Sequence, residues 1–153
     1  MRYTQGMSKA FLPEDSAAEP EIVLPPRPAE PQPITPRGRE RLRAERAGLD
    51  PGDVANRARI AQLDAILRTI EERAPALERG GAGFGCEVIV EDARGARRTY
   101  EIVGPDEVDA PAGRISAASP LGRALLGRRA GDDVEVERGG RVDELRVVAV
   151  RVP

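Results

Sequence analysis

The pattern of apolar and polar residues predicts two helices between residues 34 and 79. Thr35 is a good N-cap residue and Pro36 suits the first helical position, so a charged helix is predicted to begin there. Gly48 and the turn Asp50-Pro51-Gly52-Asp53 are predicted to end it. A second helix is predicted from about Val54 to Ala74. Because the connection is so tight, the two helices are expected to run antiparallel, as a helical hairpin.

The second predicted helix carries the spacing of a coiled-coil seam. Its apolar positions follow one another at steps of 3, 4 and 3 residues: Ile60, Leu63, Leu67 and Ile70. This spacing favours a short antiparallel coiled coil, in which the seam packs against the first helix.

From residue 86 onward the periodicity changes to that of short strands. The glycine-rich run at residues 80–83 is predicted to be a linker. Residues 86–90 and 99–103 then alternate between apolar and polar side chains, which predicts a β-hairpin. Ser119 and Pro120 are predicted to open a helical turn that extends to Leu126, and residues 134–136 and 145–152 are predicted to be strands. The fold class is therefore α+β, with one short helix against a small antiparallel sheet.

The first 33 residues contain half of the 14 prolines of the chain. Proline removes backbone donors and disfavours helix in the residue before it, so this segment is predicted to be a disordered, acidic tail. The predicted organisation is thus a tail over residues 1–33, a helical hairpin over residues 34–79 and a β domain over residues 80–153.

Composition and charge exclude several classes of function. The 24 basic and 26 acidic residues leave a net charge of −2, whereas duplex-binding proteins usually have a basic excess. The chain has no histidine and one cysteine, so we expect no catalytic residue, no metal site and no cofactor. Without an apolar run of about 18 residues or a signal peptide, we expect a cytoplasmic protein that does not contact membranes.

The order of features between Tyr100 and Val136 resembles the C-terminal domain of the Gre family, the bacterial transcription elongation factors. A short strand, an acidic Gly-Pro turn, the tripeptide Arg114-Ile115-Ser116, a helical turn opened by Ser-Pro and a Gly-Asp-Asp turn follow one another. The start of the first helix, at residues 34–42, also resembles that of the family. The resemblance implies an N-terminal antiparallel coiled coil followed by a β domain of the FK506-binding-protein type.

The resemblance also implies a partner and a binding surface. The expected partner is the bacterial RNA polymerase core, bound at its secondary channel, with nucleic acid contacted only indirectly, and the expected oligomeric state is a monomer. The polymerase-docking residues would be Ser119, Pro120, Leu121 and Gly122. The alternative for these four residues is that they only cap and pack the short helix.

In the Gre family an acidic pair at the coiled-coil tip is thought to hold Mg²⁺ in the polymerase active site during transcript cleavage. Asp50 and Asp53 occupy the corresponding turn, although Asp-Pro-Gly-Asp is also ordinary turn chemistry. Each arm is about 14 to 18 residues shorter than the family pattern, or roughly 20–27 Å at 1.5 Å per residue. We therefore expect a regulator without efficient cleavage stimulation, with an abbreviated hairpin similar to that of the regulators of nucleoside diphosphate kinase.

Two alternatives remain open at this point. The protein could stimulate cleavage through Asp50 and Asp53, or it could be an adaptor that binds another protein through the arginine-rich first helix. A prolyl isomerase would need an aromatic-lined pocket, and the β domain offers only Phe84 and Tyr100. We therefore expect that the protein is not an enzyme.

Overall fold

The computed structural model describes residues 21–153, which form an α+β fold, as predicted. The elements follow in chain order: β1 Gln32–Ile34, α1 Pro36–Gly48, α2 Arg57–Arg68, β2 Ile70–Glu72, β3 Glu87–Asp92, β4 Arg97–Val103, β5 Arg114–Ser116, α3 Pro120–Leu125, β6 Asp133–Arg138 and β7 Arg141–Arg151. Short 3₁₀ turns lie at Val54–Asn56, Pro105–Glu107 and Ala110–Ala112.

Helices α1 and α2 lie side by side, and the chain reverses direction between them. Thr35 caps α1 as predicted, because its side chain accepts a hydrogen bond from the Gly38 N–H at 3.0 Å. A small apolar cluster lies between the helices and β1, and its buried members are Ile34, Leu42, Leu63 and Ile66. Arg46 binds Asp64 at 2.7 Å, which is one of the ion pairs that join the two helices.

The predicted end of the second helix is wrong. Helix α2 stops at Arg68 rather than near Ala74, and Ile70, which was placed on the coiled-coil seam, begins strand β2. The helix closes at Thr69 with a tighter turn, in which the Thr69 N–H donates to the Ile66 carbonyl at 2.9 Å and its hydroxyl donates to the Ala65 carbonyl at 2.9 Å. The residues that follow are then free to pair as a strand with β1.

The structure also differs from the expectation of an unstructured tail through residue 33. Strand β1 pairs in parallel with β2, with Gln32 opposite Ile70 and Ile34 opposite Glu72. The polyproline composition did not reveal this pairing, because a two-stranded contact of three residues depends on a partner almost 40 residues away. The part of the predicted tail before residue 21 lies outside the described residues.

The C-terminal domain is a curled five-stranded sheet in the order β5-β4-β3-β7-β6. Most neighbours are antiparallel, but β5 pairs in parallel with β4, so the prediction of a purely antiparallel sheet is wrong at this edge. Helix α3 packs across the inner face, where Leu121 and Leu125 join the buried valines and isoleucine of the strands. This core is aliphatic apart from Tyr100, as the composition implies.

The glycine-rich run at residues 80–83 does not behave as the predicted linker. Ala82 is fully buried, and its backbone pairs with that of Gly127 and Arg128. A Cβ atom at Gly81 would overlap with the Gly127 carbonyl, so the missing side chain allows two backbone segments to pack closely. Composition alone cannot distinguish a glycine that gives flexibility from one that allows close packing.

Within residues 21–153, no helix combines the length and the apolar character needed to cross a bilayer.

Candidate functional site

The turn between α1 and α2 presents the two predicted tip acids to solvent. The Asp50 carboxylate accepts a hydrogen bond from the Gly52 N–H at 2.8 Å, and the Asp53 carboxylate accepts one from the Ala55 N–H at 2.9 Å. Both side chains are exposed and each caps its own turn. The structure therefore brings the two acids to one exposed turn, where both have a local structural role.

The acidic residues at this turn do not form a larger cluster. Across residues 21–153, no group of three or more Asp, Glu or Cys side chains is placed so that it could hold a metal ion. A hard divalent cation prefers six or more oxygen ligands. The two tip acids could supply only part of such a set, and the rest would have to come from another molecule.

The arm that carries the tip is short. Helix α1 contains 13 residues and α2 contains 12. At 1.5 Å per residue, each arm extends about 20 Å.

The segment from Ser119 to Gly122 opens helix α3, and only part of it reaches the surface. The Ser119 hydroxyl accepts a hydrogen bond from the Gly122 N–H at 3.0 Å and donates one to the Ser116 carbonyl at 2.7 Å. Leu121 and Gly122 are buried, and a Cβ atom at Gly122 would overlap with the Ser116 carbonyl. Of the four predicted docking residues, Pro120 is exposed and Ser119 is half-buried, so these two can form a contact surface.

A buried carboxylate that the sequence did not single out joins the helical hairpin to the β domain. Glu107, in the 3₁₀ turn after β4, is 6% exposed. Its Oε2 atom accepts from the Thr35 N–H at 2.8 Å, and its Oε1 atom accepts from the Thr35 hydroxyl and from Arg41 at 3.2 Å. A single carboxylate of the β domain therefore accepts the hydrogen bonds that the backbone N–H and the hydroxyl of Thr35 donate at the start of α1.

Gly38 makes this contact possible. A Cβ atom at position 38 would overlap with the carboxylate group of Glu107. Glycine in the first turn of a helix is unfavourable by propensity, so a packing reason for it is expected. The glycine at this position was the available sequence signal, but it did not reveal which residue comes close.

Arg27 fastens the segment before β1 to both halves of the molecule. Its two terminal nitrogens bind the two carboxylate oxygens of Asp106 at 2.9 and 2.7 Å, and its Nε donates to the Thr69 hydroxyl at 2.5 Å. The hydrogen bond to Asp106 raises the pKa of the Arg27 guanidinium. The Arg27–Asp106 pair and the hydrogen bonds of Glu107 together hold the hairpin against the β domain. We call this contact the Arg27–Glu107 junction, and its residues are Arg27, Thr35, Gly38, Arg41, Asp106 and Glu107.

Glu45 and Arg59 form a second ion pair between the two helices, with an Nη2 to Oε2 distance of 2.8 Å. Hydrogen bonding to Arg59 lowers the pKa of Glu45 below its ordinary value of 4.5. Because the pKa of Glu45 is lower in the folded state than in the unfolded state, the pair stabilises the hairpin at pH values above the ordinary pKa. This contribution to stability is lost as the pH falls through the folded-state pKa.

We expect Arg59→Gln to raise the titration midpoint of the Glu45 carboxyl group, which carbon-detected NMR can follow between pH 2 and 7. The variant removes the guanidinium while an amide keeps most of the side-chain volume. A midpoint that is the same in both proteins would show that Arg59 does not set the pKa of Glu45.

The family match covers the β domain. The sequence profile of the family described as "Transcription elongation factor, GreA/GreB, C-term" matches residues 78–152. Residues 78–152 are therefore a C-terminal domain of the GreA/GreB family. The match begins just before Ala82 and includes all five strands of the large sheet, α3 and Glu107.

Individual GreA proteins agree with this assignment. The chain is 43% identical over 94 residues to transcription elongation factor GreA of Cereibacter sphaeroides (strain ATCC 17023), covering 61% of this chain and 62% of that protein. It is 41% identical over 105 residues to GreA of Maridesulfovibrio salexigens, covering 63% of this chain and 66% of that protein. The match to these relatives thus extends over less than two thirds of their length.

Among solved structures, GreA factor homolog 1 (Gfh1) of Thermus thermophilus superimposes with a TM-score of 0.43 at 26% identity, over 80% of this chain and 99% of that one. An overlap of that size does not bear on the assignment.

Proposed function

We propose that the protein is a Gre-type transcription elongation regulator that binds core RNA polymerase at the secondary channel through its C-terminal domain. The observation that carries the proposal is the GreA/GreB match over residues 78–152, which coincides with an intact, well-packed domain. In this proposal nucleic acid is contacted only within the polymerase complex. The protein acts as a monomer in the cytoplasm and catalyses no reaction itself.

The contact with polymerase would use the exposed part of the segment that opens α3. Pro120 is exposed at the first turn of this helix, whereas Leu121 and Gly122 pack into the domain and act by fixing its position. Polymerase recognition would therefore depend directly on Pro120 and Ser119, and on the two buried residues only through the fold.

Pro120→Glu is expected to weaken binding to core polymerase by about tenfold or more, since it places a charge in a contact region. The fold should tolerate the change, because an acidic residue is favourable in the first turn of a helix. Pro111→Glu is the matched control: Pro111 is also exposed and lies within a short helical turn, Ala110–Ala112. Fluorescence anisotropy with labelled protein measures both, and equal affinities for the two variants would contradict docking through Pro120.

The short arms support a regulator that does not stimulate transcript cleavage efficiently. The tip lies about 20 Å from the start of α1, so it reaches less far into a channel than a tip on longer arms would. To act in cleavage, it would have to hold a metal ion with an accuracy of a few tenths of an ångström. In a backtracked elongation complex, we expect no cleavage above that of polymerase alone, and we expect the protein to displace a full-length Gre factor.

The alternative is a cleavage-stimulating factor that uses Asp50 and Asp53, which lie together at the exposed turn. Stimulated cleavage that is lost in the Asp50→Asn/Asp53→Asn variant would establish it. Absence of polymerase binding at micromolar concentration would contradict both versions and would favour an adaptor that binds another protein.

A further inference from the structure

The inner face of the five-stranded sheet extends beyond the helix that covers it. Helix α3 has six residues and is about 9 Å long, whereas β7 has 11 residues and, at about 3.3 Å per residue, is several times longer. Along β4 the inward side chains change from Ile102, which is fully buried, to Tyr100 and then to exposed Arg98. Along β7 they change from Val147 through Leu145 to Asp143 in the same direction. The apolar core therefore opens into a charged groove.

This groove lies between the β3–β4 turn and the hairpin of β6 and β7. Its floor is formed by Val90, Tyr100 and Leu145, and exposed Val142 also lines it. The cationic residues around the groove are Arg94, Arg98, Arg138 and Arg141, and the acidic ones are Asp92, Asp143 and Glu144. We call this surface the arginine groove.

Two of the acids in the arginine groove are already occupied. Asp92 accepts hydrogen bonds from the backbone N–H groups of Arg94 and Ala96, at 2.8 and 3.0 Å. Asp143 binds Arg138 at 2.6 Å. Both carboxylates are therefore already bound by neighbouring groups of the protein itself.

The remaining cations form no close ion pair, although Arg94 and Arg98 lie near enough to Asp92 for their charges to help lower the pKa of its carboxyl group. Within residues 21–153, the side chains of Arg94, Arg98 and Arg141 form no ion pair. Glu144 is the one acid of the arginine groove that is not bound to a guanidinium or to a turn among these residues. The surface therefore has cationic groups available for an anionic partner.

The sheet register adds an independent observation. Arg138 lies directly opposite Arg141 where β6 and β7 meet. Like charges at opposite positions of an antiparallel pair are destabilising. Asp143 offsets the charge of Arg138, whereas Arg141 forms no ion pair with any of residues 21–153. A bound carboxylate would do so.

We propose that the arginine groove binds an extended acidic peptide segment of another protein, with carboxylates on the arginines and an apolar side chain near Val142. Guanidinium groups pair with carboxylates through two parallel hydrogen bonds, which gives such a contact its specificity. The surface is distinct from the tip turn and from the segment that opens α3, so the proposal does not depend on the function proposed above.

The same surface is poorly suited to nucleic acid. Single-stranded nucleic acids bind to exposed aromatic faces on which bases stack, and Tyr100 is only 8% exposed. The three acids of the lining would also repel a continuous phosphate backbone. A peptide carries its carboxylates on flexible side chains, which can turn toward the arginines and away from these acids, whereas the phosphates of a nucleic acid are fixed in its backbone.

The test uses the full chain and two fluorescein-labelled probes, the peptide Glu-Glu-Leu-Glu-Glu and a ten-thymidine oligonucleotide. Fluorescence anisotropy should show peptide binding that weakens as salt is added. Arg98→Ala/Arg141→Ala is expected to weaken peptide binding by about tenfold. Arg43→Ala/Arg68→Ala, which removes two exposed arginines from the hairpin, is the matched control and should change it by less than about twofold.

Three results would overturn the proposal. One is no peptide binding at concentrations up to about 1 mM, the weak end of specific recognition. Another is an equal loss in the two double variants, which would indicate attraction to net charge alone. The third is an oligonucleotide that binds more tightly than the peptide and displaces it, which would assign the surface to nucleic acid. Arg94→Glu, in the exposed turn between β3 and β4, is also expected to weaken peptide binding, and it changes no residue of the strands.

Discussion

Gly38→Ala is expected to destabilise the protein by about 2 kcal/mol or more, although alanine is the better helix former. The new Cβ atom would overlap with the carboxylate of Glu107. Glu107 is buried and held by Thr35 and Arg41, so it cannot move aside without losing those hydrogen bonds. Urea unfolding followed by circular dichroism measures the change.

Gly48→Ala is the matched control for this prediction. Gly48 lies in the same helix, and a Cβ atom there meets nothing within 4 Å. Alanine at Gly48 should therefore leave stability unchanged or raise it by up to about 1 kcal/mol. If the two substitutions changed stability in the same direction and by similar amounts, the close contact between Gly38 and Glu107 would be refuted.

Glu107→Ala is the second substitution with a large expected effect, a loss of about 2–4 kcal/mol. It leaves the buried Thr35 N–H without an acceptor and removes a partner of the half-exposed Arg41. Glu40→Ala, which removes an exposed acid of helix α1, should change stability by less than about 0.5 kcal/mol. Urea unfolding of both variants gives the comparison.

A double-mutant cycle sharpens this second prediction. In Glu107→Ala, the space that the carboxylate occupied becomes available to a methyl group at position 38. Gly38→Ala should then cost much less than it does in the natural sequence, with a coupling free energy of about 1–3 kcal/mol. Additive effects would mean that the two residues do not share that space.

The Arg27–Glu107 junction matters for the proposed function because it holds the start of α1 against the β domain. The direction of a 20 Å arm, about the length of α1, depends on the angle at its base. At this base Glu107 binds Thr35 and Asp106 binds Arg27. Arg37 adds an ion pair with Glu101 at 2.9 Å. Variants of the junction therefore test whether regulation of polymerase requires a fixed arm as well as a docked C-terminal domain.

The elements with a strong local signal were predictable from the sequence. Thr35 and Ser119 each precede proline, and both proved to be helix caps because hydroxyl capping requires only neighbouring backbone groups. The order of features from Tyr100 to Val136 was sufficient to indicate the Gre family, and the family match bears it out.

The candidate site residues were predictable only in part. Asp50 and Asp53 lie at one turn, as the sequence indicated, and a turn of four residues needs no tertiary information. Which of Ser119, Pro120, Leu121 and Gly122 reach the surface depended on how α3 lies on the sheet. Helical spacing alone cannot determine this for a helix of six residues, because one turn has too few positions to define a face.

By itself the sequence determined the fold class, the helix caps, the main turns and the family, since each depends on residues close together in the chain. Only the tertiary structure decided that strand β2 replaces the end of the second helix, that Gly81 packs against Gly127, and that Glu107 binds Thr35. Glu107 and Thr35 are separated by 72 residues. Hydrogen bonds and close packing at such separations depend on where folding brings the backbone together, and local periodicity carries no record of that position.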